Sequence, residues 1–134
     1  MAGIWSGTFP KRHVLVIIYL CRAVAITAFL LIPFSLVSVL TFSAVMGFLW
    51  LATVPPTSGL VAVMFGTRYM ALLFGVVFFS HQLGSFSGVW LGGWLYDNTG
   101  SYDAVWWVGI VLGVVAAVLH WPIREQPVAR LATP

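Results

Sequence analysis

The stretch VLVIIYLCRAVAITAFLLI, from Val14 to Ile32, holds one charged residue, Arg22, among nineteen. A bilayer core of about 30 Å needs roughly 20 apolar residues in helical form, so this run has the length of one crossing. Pro33 ends it, because proline lacks the N–H a helix interior requires. The pattern then continues: between Val14 and Ile123 the only charged side chains are Arg22, Arg68, Asp97 and Asp103. With 61% hydrophobic residues, 7% charged and a mean hydropathy of +1.04, the chain lies far from the roughly 25% charged composition of a soluble domain. Its solvent is lipid, and the fold class is an all-α membrane protein embedded in the bilayer.

Working outward, three more runs have the length to cross. The second reaches from about Leu36 to Met64, longer than one untilted span, and contains Pro55-Pro56. Two adjacent prolines remove two ladder donors, which predicts a bend or break, with the freed carbonyls satisfied by protein or water rather than lipid. The third runs from about Tyr69 to Leu95 and closes in Tyr96-Asp97-Asn98-Thr99-Gly100-Ser101-Tyr102, a turn-forming composition. The fourth spans about Ala104 to Trp121, stops at Pro122, and leads into a polar tail over residues 122–134. A single membrane domain over residues 1–134 is expected.

Basic residues set the orientation. Lys11 and Arg12 precede the first span, Arg68 lies between the second and third, and Arg124 and Arg130 follow the fourth. The other two loops have none. This alternation predicts a multi-pass protein of the plasma (inner) membrane with both termini cytoplasmic. Trp94, Tyr96, Tyr102, Trp106 and Trp107 crowd the predicted outer boundary as an aromatic belt, while Tyr69 and Trp121 mark the inner one. The formal charge of +3 is this same bias and calls for no nucleic acid. The apolar run after Lys11-Arg12 is too long for a cleaved secretory signal. The lone cysteine, Cys21, has no intrachain partner for a disulfide.

Ionisable groups within the spans are few: Arg22, His81 and, at the inner end of the last helix, His120. Such residues are functional candidates by default. At 100° per residue His81 shares a helix face with Gly84, Ser85, Gly88 and Gly92, while Gln82 points about 100° away, a candidate for a separate polar contact on the substrate or proton path or else plain packing. Glycines at this spacing let another helix approach closely. His81 then reads either as a hydrogen-bonded packing residue or as a proton-accepting or anion-binding group at mid-membrane depth. Arg22 lies about 12 Å into its helix with no acidic residue at that depth. It either snorkels to the surface or finds its counter-charge on another polypeptide or a bound anion. No paired carboxylates, metal-ligand spacing, phosphate loop or nucleophile with a base occurs, so no enzyme, metal site or cofactor is expected.

The run from Gly75 through Ser80-His81-Gln82-Leu83-Gly84, Gly88 and Gly92-Gly93 to Asp97-Asn98-Thr99-Gly100-Ser101-Tyr102 resembles the eleventh helix and following outer loop of major facilitator superfamily transporters. It is most similar to their monocarboxylate and oxalate/formate-type branch. Lys11-Arg12-His13 with the apolar run bearing Tyr19 and Arg22 resembles the approach to the ninth helix, and Gly47 to Gly66 with its prolines the tenth. Residues 1–10 resemble the end of the eighth. The resemblance implies an N-terminally shortened transporter corresponding to helices nine to twelve, part of the six-helix C-terminal half. Its glycine face would look toward a missing N-terminal half or another membrane protein.

By the same resemblance Trp50, Pro55 and Pro56 are candidate path or gate residues, and the ninth helix, with Arg22, has a supporting place. His81 falls closest to the basic residue thought to meet the substrate carboxylate. The implied function is secondary transport of a small-molecule solute, an organic anion such as a monocarboxylate, by proton symport or exchange. The alternative is a four-helix interaction or assembly subunit without transport activity, docking through Gly84, Gly88 and Gly92.

Overall fold

A computed structural model describes residues 10–128; residues 1–9, which include the resemblance to an eighth helix, and residues 129–134 with Arg130 lie outside the described part. Among the described residues five helices follow one another: α1 (Lys11–Leu31), α2 (Leu36–Leu51), α3 (Val54–Phe65), α4 (Met70–Thr99) and α5 (Asp103–His120). Helices α2 and α3 form one interrupted span, Leu36–Phe65, so four helical stretches are long and apolar enough to cross a membrane. Among the described residues every regular element is helical. That is the only open-ended design lipid permits, since each backbone polar group must be satisfied within its own segment.

Helix α1 is the centre of the packing. Leu15, Val16, Ile18, Ala23 and Ile26 are buried along it, and it meets α5 most extensively, then α2 and α3. The α1–α5 approach depends on small residues. A Cβ placed on Gly113 would lie 3.4 Å from the Tyr19 carbonyl oxygen and 3.5 Å from Ala23 Cβ, and one on Gly109 would lie 3.7 Å from Ile26 Cδ1. In lipid, where apolar burial gives no drive, such close van der Waals contact holds helices together.

The outward surface is apolar. Leu72, Phe86, Val89 and Trp90 on α4 are exposed, Val89 at 80%, and among the described residues no polar or charged side chain is buried. Helix α4 rests mainly on α3 and α5, with only Gly92 buried along its 30 residues.

The break in the second span lies at Ala52-Thr53, just ahead of the prolines. A proline disrupts the carbonyl four residues before it; for Pro55 and Pro56 these belong to Leu51 and Ala52, where α2 ends. The prolines themselves fall in the first turn of α3, where a missing N–H is harmless. The Thr53 amide donates to the Trp50 carbonyl at 3.2 Å, a tightened turn, and the ladder resumes with Thr57 donating to Thr53 at 3.3 Å.

Two other boundaries differ from the sequence reading. Helix α1 begins at Lys11, three residues before Val14, because Lys-Arg-His carries no helix breaker and Pro10 precedes it. Helix α4 runs on through Tyr96-Asp97-Asn98-Thr99. There Asn98 Nδ2 donates to the Trp94 carbonyl and Thr99 Oγ1 to that of Leu95, both at 2.7 Å. Gly100, at φ +70°, then ends the helix in the left-handed conformation.

The two ends of the bundle are closed differently. At one end Phe29, Phe34, Phe42 and Trp106 form an aromatic cluster, Phe29 stacked on Phe42 at 4.2 Å, and Tyr96 stacks on Tyr102 at 4.5 Å. Ser35 and Ser38 cap α2 reciprocally. At the other end the tail folds back: Glu125 Oε1 accepts from the Arg12 amide at 2.7 Å, Arg12 Nη1 donates to the Ile123 carbonyl at 3.1 Å, and the Val128 amide donates to the Met64 carbonyl at 2.9 Å. The carboxylate occupies an unsatisfied donor at the positive end of α1. Glu125→Ala is expected to cost about 1 kcal/mol, in the range of a lost helix cap. Faster hydrogen exchange at the Arg12 amide is its measurable sign.

Candidate polar site at mid-span

Arg22 is eleven residues into α1, and its side chain turns sideways into the interruption between α2 and α3. Its Nη2 donates to the Leu49 carbonyl at 3.0 Å and to Thr53 Oγ1 at 2.8 Å. Thr53 Oγ1 in turn donates to the Leu49 carbonyl at 3.0 Å. This carbonyl is open because the Thr53 amide has moved to Trp50. The proline break therefore creates the acceptor that the arginine uses.

Of the alternatives open from sequence, snorkelling is not what the side chain does. Both acceptors it has found are neutral, and no carboxylate among the described residues pairs with it. Two aromatic faces complete the setting, with the guanidinium carbon 5.5 Å from the Tyr19 ring centre and 5.8 Å from that of Trp50, within cation–π range. Arg22 Nε is enclosed without a partner.

The surroundings extend in both directions. Beyond Trp50 lies His81, its ring 5.4 Å away and nearly perpendicular at 78°, with Phe78 at 6.4 Å. Beyond Tyr19 lies His120, ring centres 5.1 Å apart, whose Nδ1 is 2.7 Å from the Ala116 carbonyl oxygen. A continuous file of rings and one cation thus runs His120, Tyr19, Arg22, Trp50, His81 across α5, α1, α2 and α4.

The structure brings together three of the residues singled out from sequence, Arg22, Trp50 and His81. Gln82 is exposed on α4. Pro55 is half-buried and Pro56 fully buried, so Pro56 lines no open space and acts by placing the break. Gly84 and Gly88 have no atom within 4 Å of an added Cβ, while one on Gly92 would meet Val105 Cγ1 at 3.9 Å. Sequence reasoning missed Thr53 and Gly113, and named Tyr19 only as part of the resemblance to the ninth helix. The spacing Arg22, Tyr19 was a legible pair one helical turn apart, but nothing in the sequence paired it with Thr53.

The site is separate from the apolar groove along α1 and α2. A groove of about 650 Å³ between α1 and α2, lined by Cys21, Ala28, Phe29, Thr41 and Phe42 among others, contains none of the three. Among the described residues no cluster of three or more His, Cys, Asp or Glu could hold a metal ion.

No curated protein and no solved structure matches the chain. One family model does, the Major Facilitator Superfamily, over residues 1–134. Its members are transporters rather than enzymes. Four membrane-length helices and a match along the entire sequence together make this chain an integral, multi-pass membrane protein belonging to the Major Facilitator Superfamily.

Proposed function

We propose that the chain serves secondary transport of small organic anions, monocarboxylates above all, by proton symport or exchange. The carrying observation is Arg22: a guanidinium at mid-span, held by the neutral acceptors Leu49 O and Thr53 Oγ1, with no carboxylate among the described residues to neutralise it. A substrate carboxylate supplies the missing charge in the geometry arginine favours. His81, exposed on the far side of Trp50, is the side chain we assign to proton transfer, since imidazole can both accept and donate a proton. The sequence resemblance gave the substrate contact to His81; the geometry supports Arg22 for the anion and His81 for the proton.

The basic residues Lys11, Arg12, Arg68 and Arg124 favour a cytoplasmic side for the end carrying the tail, in a plasma (inner) membrane. The exposed apolar face of α4 around Gly84 and Gly88 favours further membrane helices as neighbours, the other half of a transporter or another membrane protein. This face also supports the second reading, an assembly subunit without transport of its own.

The test is uptake of radiolabelled acetate by proteoliposomes containing the chain, with saturable acetate binding in nanodiscs alongside. Accumulation above protein-free vesicles, driven by an inward proton gradient or by acetate on the opposite side, is expected. Absence of both uptake and saturable binding, combined with loss of partner capture on Gly88→Leu, overturns transport in favour of assembly.

A further inference from the structure

We infer that the Arg22 contact is a latch on the broken helix, released by the anion itself. The inference rests on the anion reading above and adds a mechanism to it. Arg22 spends Nη2 on the Leu49 carbonyl and Thr53 Oγ1, at 3.0 and 2.8 Å. These two acceptors flank the interruption between α2 and α3, so the arginine bridges α1 to the turn where the second span bends.

A carboxylate is a stronger acceptor for guanidinium than a carbonyl or a hydroxyl, and it takes two parallel N–H groups at once. An anion engaging Arg22 bidentately therefore competes with the helix break for Nη2. When it wins, the Leu49 carbonyl keeps a donor, because Thr53 Oγ1 already hydrogen-bonds it at 3.0 Å. Thr53 loses only an accepted bond. The break is left satisfied but no longer tied to α1, and α3 is free to change its angle to α2.

Trp50 reports the exchange. Its ring lies near the same guanidinium and against His81, so withdrawal of Nη2 changes its surroundings on the Arg22 side. The latch thereby links the anion on α1 to the histidine on α4 through one side chain of α2.

Thr53→Val separates this latch from simple anion binding. It keeps the shape, removes one of the two Arg22 acceptors, and leaves Arg22 less committed to the break. If the anion displaces that bond, acetate binds the variant more tightly, by about tenfold, the effect of one charge-assisted hydrogen bond.

The experiment uses the chain in nanodiscs labelled with 5-fluorotryptophan, titrated with acetate, the Trp50 fluorine resonance being assigned with Trp50→Phe. An acetate-dependent Trp50 shift, lost in Arg22→Gln, weakened in Arg22→Lys and reached at about tenfold lower acetate in Thr53→Val, is the expected result. A shift that depends on Arg22 with unchanged or weaker binding in Thr53→Val overturns the latch while leaving the anion site intact. No Arg22-dependent shift in any variant overturns both. Should Arg22→Gln not fold, Arg22→Lys and Thr53→Val still decide between these outcomes.

Discussion

Replacing Gly113 by leucine is expected to drive α1 and α5 apart and to destabilise the folded bundle strongly. Even a Cβ at this position comes within 3.4 Å of the Tyr19 carbonyl oxygen and 3.5 Å of Ala23 Cβ. That oxygen belongs to a helix backbone and cannot swing aside as a side chain would. Overpacking a close contact costs typically 1–3 kcal/mol and sometimes more, and here it strikes the most extensive helix pair. Gly88→Leu, where an added Cβ meets nothing within 4 Å, is expected to leave the isolated chain's thermal transition unchanged. Unfolding scans of the two variants in one detergent test the contrast. Equal transitions would mean that α1 and α5 do not depend on this approach.

Arg22→Leu is expected to reduce acetate binding by about thirtyfold or more, because removing one member of a desolvated charge pair costs roughly 2–5 kcal/mol. Structure changes less than binding does. The Leu49 carbonyl retains the Thr53 hydroxyl, so no buried acceptor is orphaned, and the break persists because Pro55 and Pro56 impose it. The Tyr19 and Trp50 rings lose a cation, an effect of about 0.5–2 kcal/mol. Isothermal titration with acetate, set beside the circular dichroism of the same sample, separates the two losses. Unchanged affinity in a folded variant would remove Arg22 from anion recognition.

The crossings were legible in the sequence because lipid imposes a length and a composition that a chain cannot disguise. Val14 to Ile32 needs no partner to be read as a span. Details that depend on one residue's choice between two local bonds were less legible. Asn98 and Thr99 have the composition of a turn, but the same side chains bond back to Trp94 and Leu95 and prolong α4. Pro55-Pro56 announced an interruption, while its place followed from the carbonyls upstream of the rings.

The polar site was half legible. Arg22 and His81 stood out as ionisable residues rare at their depth, and Trp50 through the family resemblance. Their juxtaposition was not available, since it depends on how α1, α2 and α4 come together. Thr53 carried no signal at all: a threonine in an apolar helix ordinarily bonds its own backbone four residues back, as this one also does.

The unlike fastenings at the two ends of α1 have a mechanical consequence. The bonds from Glu125 to the Arg12 amide and from Arg12 to Ile123 are directional, so a displacement of an ångström or so breaks them and they are either made or lost. The contacts of Phe29 with Phe34, Phe42 and Trp106 accept a range of ring separations and tilts with little change in energy. Any rocking of α1 within the bundle therefore pivots about the tail-bound end and slides at the aromatic end, as a door turns on its hinge while its free edge sweeps.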